Sequence, residues 1–285
     1  MRPAPYDALS VRSFLAEVAE ADGHPPLSEH KVMTMDQGRS QVGVWTDSAG
    51  IGLVAVASWH EGGGHWAVEA ALASRRRTPT DEEAAIRRAT ELAAPGEPHT
   101  LWTFRTGQIA AARRVGYDEV RAVLRMSGAV PTNAGKPIPG VSITPMTAGD
   151  IEGIVAVNNR AFADHREQGS MTADSFRSLA KLKWFDPEGV LIARSDGRIA
   201  GFCIAKYEGG AVGEVYLLAV APDVAASGIG RALASHGFVW LANRGAVTAQ
   251  AWVDETNRPA AGLYRTLGLA EDFRNREMAP ATDVS

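Results

Sequence analysis

Residues 213–230, GEVYLLAVAPDVAASGIG, constrain the fold of this chain more than any other stretch. They open as a strand: Val215, Leu217 and Ala219 alternate with Glu214, Tyr216 and Leu218, the period-two pattern of a half-buried pleated surface. Pro222-Asp223 breaks the pattern. Gly228-Ile229-Gly230 then turns the chain into a helix with Ile229, Leu233, Gly237 and Trp240 on one side. A strand that passes through a glycine-containing turn into a helix N-terminus is a device for holding an anion. Free backbone N–H groups and the positive end of the helix dipole meet there. Two glycines let a large ligand approach the backbone with no Cβ in the way.

Spacing separates the candidate ligands. A Walker A loop requires Gly-Lys-Ser/Thr, and no lysine follows Gly228 or Gly230. A dinucleotide fingerprint G-x-G-x-x-G requires glycine where Leu233 stands. The remaining pattern is Q/R-x-x-G-x-G/A, carried after the fourth strand by GCN5-related N-acetyltransferases, and Ala225-Ala226-Ser227-Gly228-Ile229-Gly230 resembles it. Both glycines match. Ala225 replaces the leading Gln/Arg and Ser227 the usual basic residue, so the amide cradle is kept without its cationic side chains.

At 285 residues the chain exceeds one typical domain and implies two. A net charge of −4 gives no basic excess for nucleic acid, and the cluster Arg75-Arg76-Arg77 reads as a solvated loop. Cys203 is the only cysteine, which excludes an intramolecular disulfide and a thiolate metal cluster; inside the apolar run 199–205 it reads as a core residue. The seven histidines show no metal spacing such as H-E-x-x-H. No apolar leader or membrane-length window is visible, so a cytoplasmic location is expected.

Periodicity predicts helices over 6–20 (Leu9, Val11, Phe14, Leu15 and Val18 inward, ended by His24-Pro25-Pro26) and 27–35, then strands over 41–46, 50–59 and 65–72. Thr80, with Glu83 at the capping-box offset, predicts a helix start. A strand (100–105), a helix (107–115) and a strand (118–126) complete the half. Residues 129–140, rich in Pro, Gly and Asn, read as a linker. The order then recurs: strand 141–145, helices 150–163 and 172–183, a hairpin around Ser195-Asp196-Gly197, and the organising strand and helix closed by Gly245. Strand 247–253, helix 257–267 with Asn257 as cap, and a strand from Ala270 follow. Residues 107–117 parallel 257–269, an internal duplication. At the place of residues 225–230 the first half has Ser74-Arg75-Arg76-Arg77-Thr78-Pro79, with no glycine. The expected fold is therefore α/β with mixed sheets, two tandem GNAT-fold domains. Residues 1–128 would be a degenerate copy, shaping the acceptor site or serving as scaffold, and 141–285 the catalytic one.

A tandem pair with an active second copy resembles mycothiol synthase over most of the chain. That family acetylates the cysteinyl amine of a cysteine–glucosamine–inositol conjugate with acetyl-CoA. Pro26-Leu27-Ser28-Glu29 resembles the segment whose Glu contacts the acceptor, and Asn158 to Ala163 followed by His165-Arg166-Glu167-Gln168-Gly169 resembles the acceptor loop. The run 184–189 matches as well. The resemblance implies acceptor contacts from Glu29, Glu167, Lys206, Glu214 and Trp252, the last replacing a family tyrosine. It implies a coenzyme site from Leu218, Ala219, Val220, Ala225, Ala226, Ser227, Gly228, Ile229, Gly230, Arg231, Asn257, Ala260 and Ala261.

An amine attacks only when neutral, so a carboxylate must take its proton; Glu214 is the candidate base, with a surface or counter-charge role as the alternative. By the same resemblance the Leu218 backbone N–H serves the oxyanion at a splayed strand, Val220 holds the pantetheine, and the Tyr264 phenol protonates the departing thiolate. The expected partners are coenzyme A and a small-molecule amine, with no metal, nucleic acid or membrane, in a monomer or weak homodimer. Acetylation of an aminoglycoside or other secondary-metabolite amine is a second possibility, and a non-catalytic ligand-binding protein a third.

Overall fold

The computed structural model describes residues 2–4, 7–60, 64–163, 169–225 and 227–281. Two compact units result: Met1–Ala122 with Asn275–Ser285, and Val123–Arg274. In the first, β1 (Arg2–Pro3), α1 (Ala8–Asp22), α2 (Glu29–Asp36), β2 (Gln41–Asp47), β3 (Gly50–His60) and β4 (His65–Leu72) are followed by α3 (Pro79–Thr90), β5 (His99–Thr103), α4 (Thr106–Arg114) and β6 (Tyr117–Ala129). β1 to β4 are antiparallel neighbours, β4 and β5 run parallel, and residues 276–278 pair with β5.

Alternation along β3 and β4 sends Val54, Val56 and Ala71 to Val11, Phe14, Leu15 and Val18 of α1. Leu53, Ala55 and Val68 go to the other face, against Ala85, Ile86 and Ala89 of α3 and Ala111 and Ala112 of α4. Leu9, expected on the buried side of α1, is 74% exposed. Gly23, at φ 74, stops α1 before the prolines that were expected to do so. The cap of α3 is Thr78, not Thr80: its hydroxyl accepts from the Asp81 N–H, and Pro79 takes the first-turn position where a missing N–H costs nothing.

The second unit runs β7 (Val141–Pro145), α5 (Ile151–Ala161), α6 (Ala173–Leu179), β8 (Val190–Ser195), β9 (Arg198–Tyr207), β10 (Val212–Val220), α7 (Ile229–Asn243), β11 (Thr248–Asp254), α8 (Arg258–Thr266) and β12 (Ala270–Pro280). Element for element this is the order of β1 to β6. The first half lacked only β1 in the sequence reading, because two residues carry no periodicity. Residues 123–129 of β6 pair with β11, and residues 275–280 of β12 belong to the first unit.

Within the second unit β7, β8, β9 and β10 are antiparallel neighbours and β10 and β11 are parallel. α7 lies on one face, where Leu233, Phe238 and Leu241 meet Cys203, Val215 and Ala251. α5 and α6 lie on the other, where Ile154 and Phe176 meet Ile192, Phe202 and Ile204. Each of these Leu, Ile, Val and Phe side chains contributes about 1.5–3 kcal/mol by leaving water. α7 comes very close to the sheet: a Cβ on Gly237 would stand 2.9 Å from the Cys203 Sγ. Cys203 is a fully buried core residue, as expected, and burial pushes its thiol up to about 12.

Candidate active site

The site is set by one irregularity in β10. Val215 stands opposite Ala205 of β9, but Leu217 stands opposite Ile204, so β10 advances two residues where β9 advances one. That is a β-bulge at Tyr216. An extra residue reverses the facing of everything after it. Val215 packs with α7, while Leu217 and Ala219 pack with Ile154 and Phe176 on the opposite face. The uninterrupted alternation expected from the sequence is therefore broken, because its period cannot show an inserted residue. The bulge also ends a ladder. β10 pairs with β11 over residues 212–215 against 248–251, whereas its pairing with β9 continues to Val220. Leu218 and Val220, both half-buried, follow the end of the parallel ladder.

Before the bulge, three strands bring a polar row together. Lys206 of β9 stands opposite Glu214 of β10, and Glu214 opposite Gln250 of β11. The Gln250 Nε2 donates to Glu214 Oε2 at 2.8 Å, orienting the carboxylate. The Lys206 Nζ is 3.2 Å from Glu208 Oε2 and lies 5.3 Å from the Trp184 ring centroid and 6.0 Å from that of Tyr216. Trp252, two residues beyond Gln250 and so on the same face, is 41% exposed and packs edge-on against Phe273. The structure thus brings Glu214 and Lys206 together and sets Trp252 on their face. Gln250 and Tyr216 were missed as site residues. Alternation through Trp252 places Gln250 on its face, but its position opposite Glu214 depends on a strand register that sequence alone does not give.

The turn into α7 answers the requirements of an anion cradle. Gly228 is the helix N-cap at φ 87, a left-handed conformation that any Cβ would strain, and no side chain caps the helix. The first intrahelical bond runs from the Ala232 N–H to the Gly228 carbonyl at 3.0 Å, so the amides of Ile229, Gly230 and Arg231 precede the helical ladder. A Cβ on Gly230 would lie 3.4 Å from Val220 and 3.5 Å from Leu263, filling space that glycine leaves clear. Ala225 and Ser227 bring no charge to the loop; the Ser227 hydroxyl is spent on the Val224 carbonyl at 2.7 Å. Arg231 reaches Thr266 Oγ1 at 3.2 Å. These features suit an anionic group such as a diphosphate, which the backbone amides can meet without a charged side chain.

α8 starts at the Asn257 cap, whose side chain accepts from the Ala260 N–H at 3.1 Å. Ala219 and Ala261, predicted coenzyme contacts, are buried in the core. Tyr264 is buried against Phe238 at 6.3 Å between centroids. Burial, with the charges of Cys203 and Glu214 adding to it, pushes its phenol far above the usual tyrosine range. The phenol therefore keeps its proton and is a weaker acid than an exposed tyrosine. Glu29 opens α2 in the first unit and is exposed. Glu167 and Ala226 lie outside the described residues. Among the described residues there is no cluster of three or more His, Cys, Asp or Glu able to hold a metal ion, and no helix long and apolar enough to cross a membrane.

In the first unit, the matching turn is closed by its own side chains. Thr78 caps α3. Arg76 bridges Asp47 at 2.6 Å and Asp81 at 3.0 Å, and Arg77 pairs with Asp22 at 2.6 Å. Arg75 also meets Asp47, at 3.4 Å. These arginines are paired, not the solvated cluster expected from composition. β4 runs against β3 from His65 to Leu72 with no register shift.

The Acetyltransferase (GNAT) family model matches residues 157–269, which carry the bulge, the polar row and the cradle. Over 93% of this chain and 89% of the relative, the sequence is 38% identical to a mycothiol acetyltransferase from Clavibacter sepedonicus. One from Thermomonospora curvata is 34% identical over 90% of this chain and 88% of that one. A solved tandem GNAT protein from the clavulanic acid biosynthesis pathway superposes with a TM-score of 0.68 over 98% of each chain, at 15% identity, and so shares the fold. The element order repeated in both halves, the bulged strand before a glycine-capped helix, and these near full-length identities agree: the chain belongs to the mycothiol acetyltransferase family of GNAT enzymes.

Proposed function

We propose that this chain transfers the acetyl group of acetyl-CoA to the cysteinyl amine of a cysteine–glucosamine–inositol conjugate. The observation that carries the reading is the Lys206–Glu214–Gln250 row directly before the point where β10 leaves β11. Gln250 holds the Glu214 carboxylate in one orientation, so it takes the amine proton directly or through one water as nitrogen attacks the thioester carbon. The Leu218 backbone N–H, just past the bulge, donates to the oxyanion. Collapse of the intermediate breaks the C–S bond. Tyr264 gives its proton to the thiolate, against the weakening that burial imposes on the phenol as an acid, and the proton of Glu214 returns to the phenolate. The products are the amide and free coenzyme A, and no step needs a metal.

In the coenzyme site, the amides of residues 228–231 hold the diphosphate, with Ala225 and Ser227 beside them and Ala226 assigned to the same site from the sequence. Val220, Asn257, Ala260 and Ala261 border the pantetheine. Lys206 and Trp252 are acceptor contacts, with Glu167 assigned to them from the sequence. Residues 1–128 are a degenerate copy, supported by the capped and ion-paired start of α3; 129–140 link it to the catalytic copy, 141–285. The enzyme works in the cytoplasm as a monomer or weak homodimer. A panel of acceptors with acetyl-CoA tests the reading. The conjugate should be acetylated with the highest kcat/KM; preference for an aminoglycoside, or no turnover with any amine, would overturn it.

A further inference from the structure

Tyr216 takes no part in the proton transfers, yet it borders them, and the bulge exists at its position. Bulges re-aim a side chain, and here the aimed ring is 37% exposed beside Glu214 and Lys206. Its inner side is fixed: the Trp184 ring, only 7% exposed, lies 4.9 Å away at 51°. Lys206 reaches toward both rings. A rigid, half-open aromatic face next to an ammonium and a carboxylate is complementary to a polyhydroxylated ring. The C–H face of such a ring is apolar and packs on the aromatic surface, while its rim hydroxyls donate to the carboxylate and accept from the ammonium.

We propose that Tyr216, backed by Trp184, is the stacking platform for a sugar or cyclitol ring of the acceptor, with Lys206 holding a rim hydroxyl. This rests on the reading that the acceptor is a sugar-conjugated amine. The platform sets acceptor specificity without touching the reacting atoms. Tyr216→Ala should therefore weaken ring binding and leave acetyl-CoA binding alone.

The test is calorimetric titration with N-acetylglucosaminyl-inositol, which carries both rings and no reactive amine. Saturable binding to the wild type is expected, weakened about tenfold or more in Tyr216→Ala and Tyr216→Leu. In Tyr216→Phe, which keeps the ring face, it should stay within about twofold. All variants should bind acetyl-CoA as the wild type does, which confirms their fold. No binding by the wild type, or equal binding by wild type and both ring-less variants, would overturn the platform. Turnover of the cysteinyl conjugate is read separately: binding lost with the ring while the wild type never acetylates the conjugate leaves the platform standing and removes the proposed reaction. Turnover with an unchanged acceptor KM in Tyr216→Ala does the reverse.

Discussion

Tyr264 and Cys203 are buried neighbours, and burial makes each hold its proton more tightly. Burial keeps the Tyr264 phenol protonated through the working pH range, so its own ionisation sets no alkaline limb, but it also makes the phenol a weaker acid toward a thiolate. Tyr264→Phe removes the proton without removing the packing against Phe238. Its kcat should fall about 10²-fold at unchanged KM for acetyl-CoA; a kcat within twofold of wild type would remove Tyr264 from the mechanism. For Cys203, the thiol is protonated in both folded and unfolded chains below its ordinary 9.0. From there to about 12 the unfolded chain loses the proton and the folded one keeps it. Stability therefore falls as pH rises through that window, by about 1.4 kcal/mol per pH unit. Urea titrations from pH 8 to pH 10.5 should show a decline about 2 kcal/mol smaller in Cys203→Ala, whatever its starting stability. Equal declines would mean that Cys203 is not the group responsible.

Among the elements, the strand–turn–helix from β10 to α7 carries both halves of the site, and it shows what sequence can and cannot disclose. Gly228, Gly230 and the helix after them were legible because glycine spacing is local chemistry. The Asn257 cap, the Asp196-Gly197 hairpin turn and the Gly245 stop were legible for the same reason. The bulge at Tyr216 was not: its signature is a register against β9, and the run 215–220 reads as simple alternation. The partnership of Gln250 with Glu214 was hidden likewise, since it is set by the offset of two parallel strands. Thr80 misled because Thr78-Pro79 offers a better helix start two residues earlier. Gly228→Val tests the cradle. The left-handed backbone would cost roughly 1–2 kcal/mol and the amides would shift, so acetyl-CoA should bind at least tenfold more weakly with a lowered Tm. Unchanged binding would place the diphosphate elsewhere.

Across the whole molecule, the same order of ten elements appears twice, but only one copy has an open helix start. α7 begins at a bare glycine; α3 begins at a threonine cap among ion-paired arginines. Titration of the intact chain with acetyl-CoA should therefore give one site per chain, despite Ala225 and Ser227. Two sites would mean that the α3 turn opens for ligand, and a Gly228→Val chain with no remaining site would assign the single one to α7.

The central claim is that Glu214, oriented by Gln250 before the bulge, is the base of an acetyl transfer. Its most direct measurement is the steady-state acetylation of the cysteinyl conjugate by wild type and Glu214→Gln, with acetyl-CoA affinity measured on the same preparations. The expected result is a loss in kcat/KM of about 10²–10⁴-fold, largest at low pH where the amine most needs deprotonation, with acetyl-CoA affinity unchanged. Turnover by Glu214→Gln within a fewfold of wild type would contradict it.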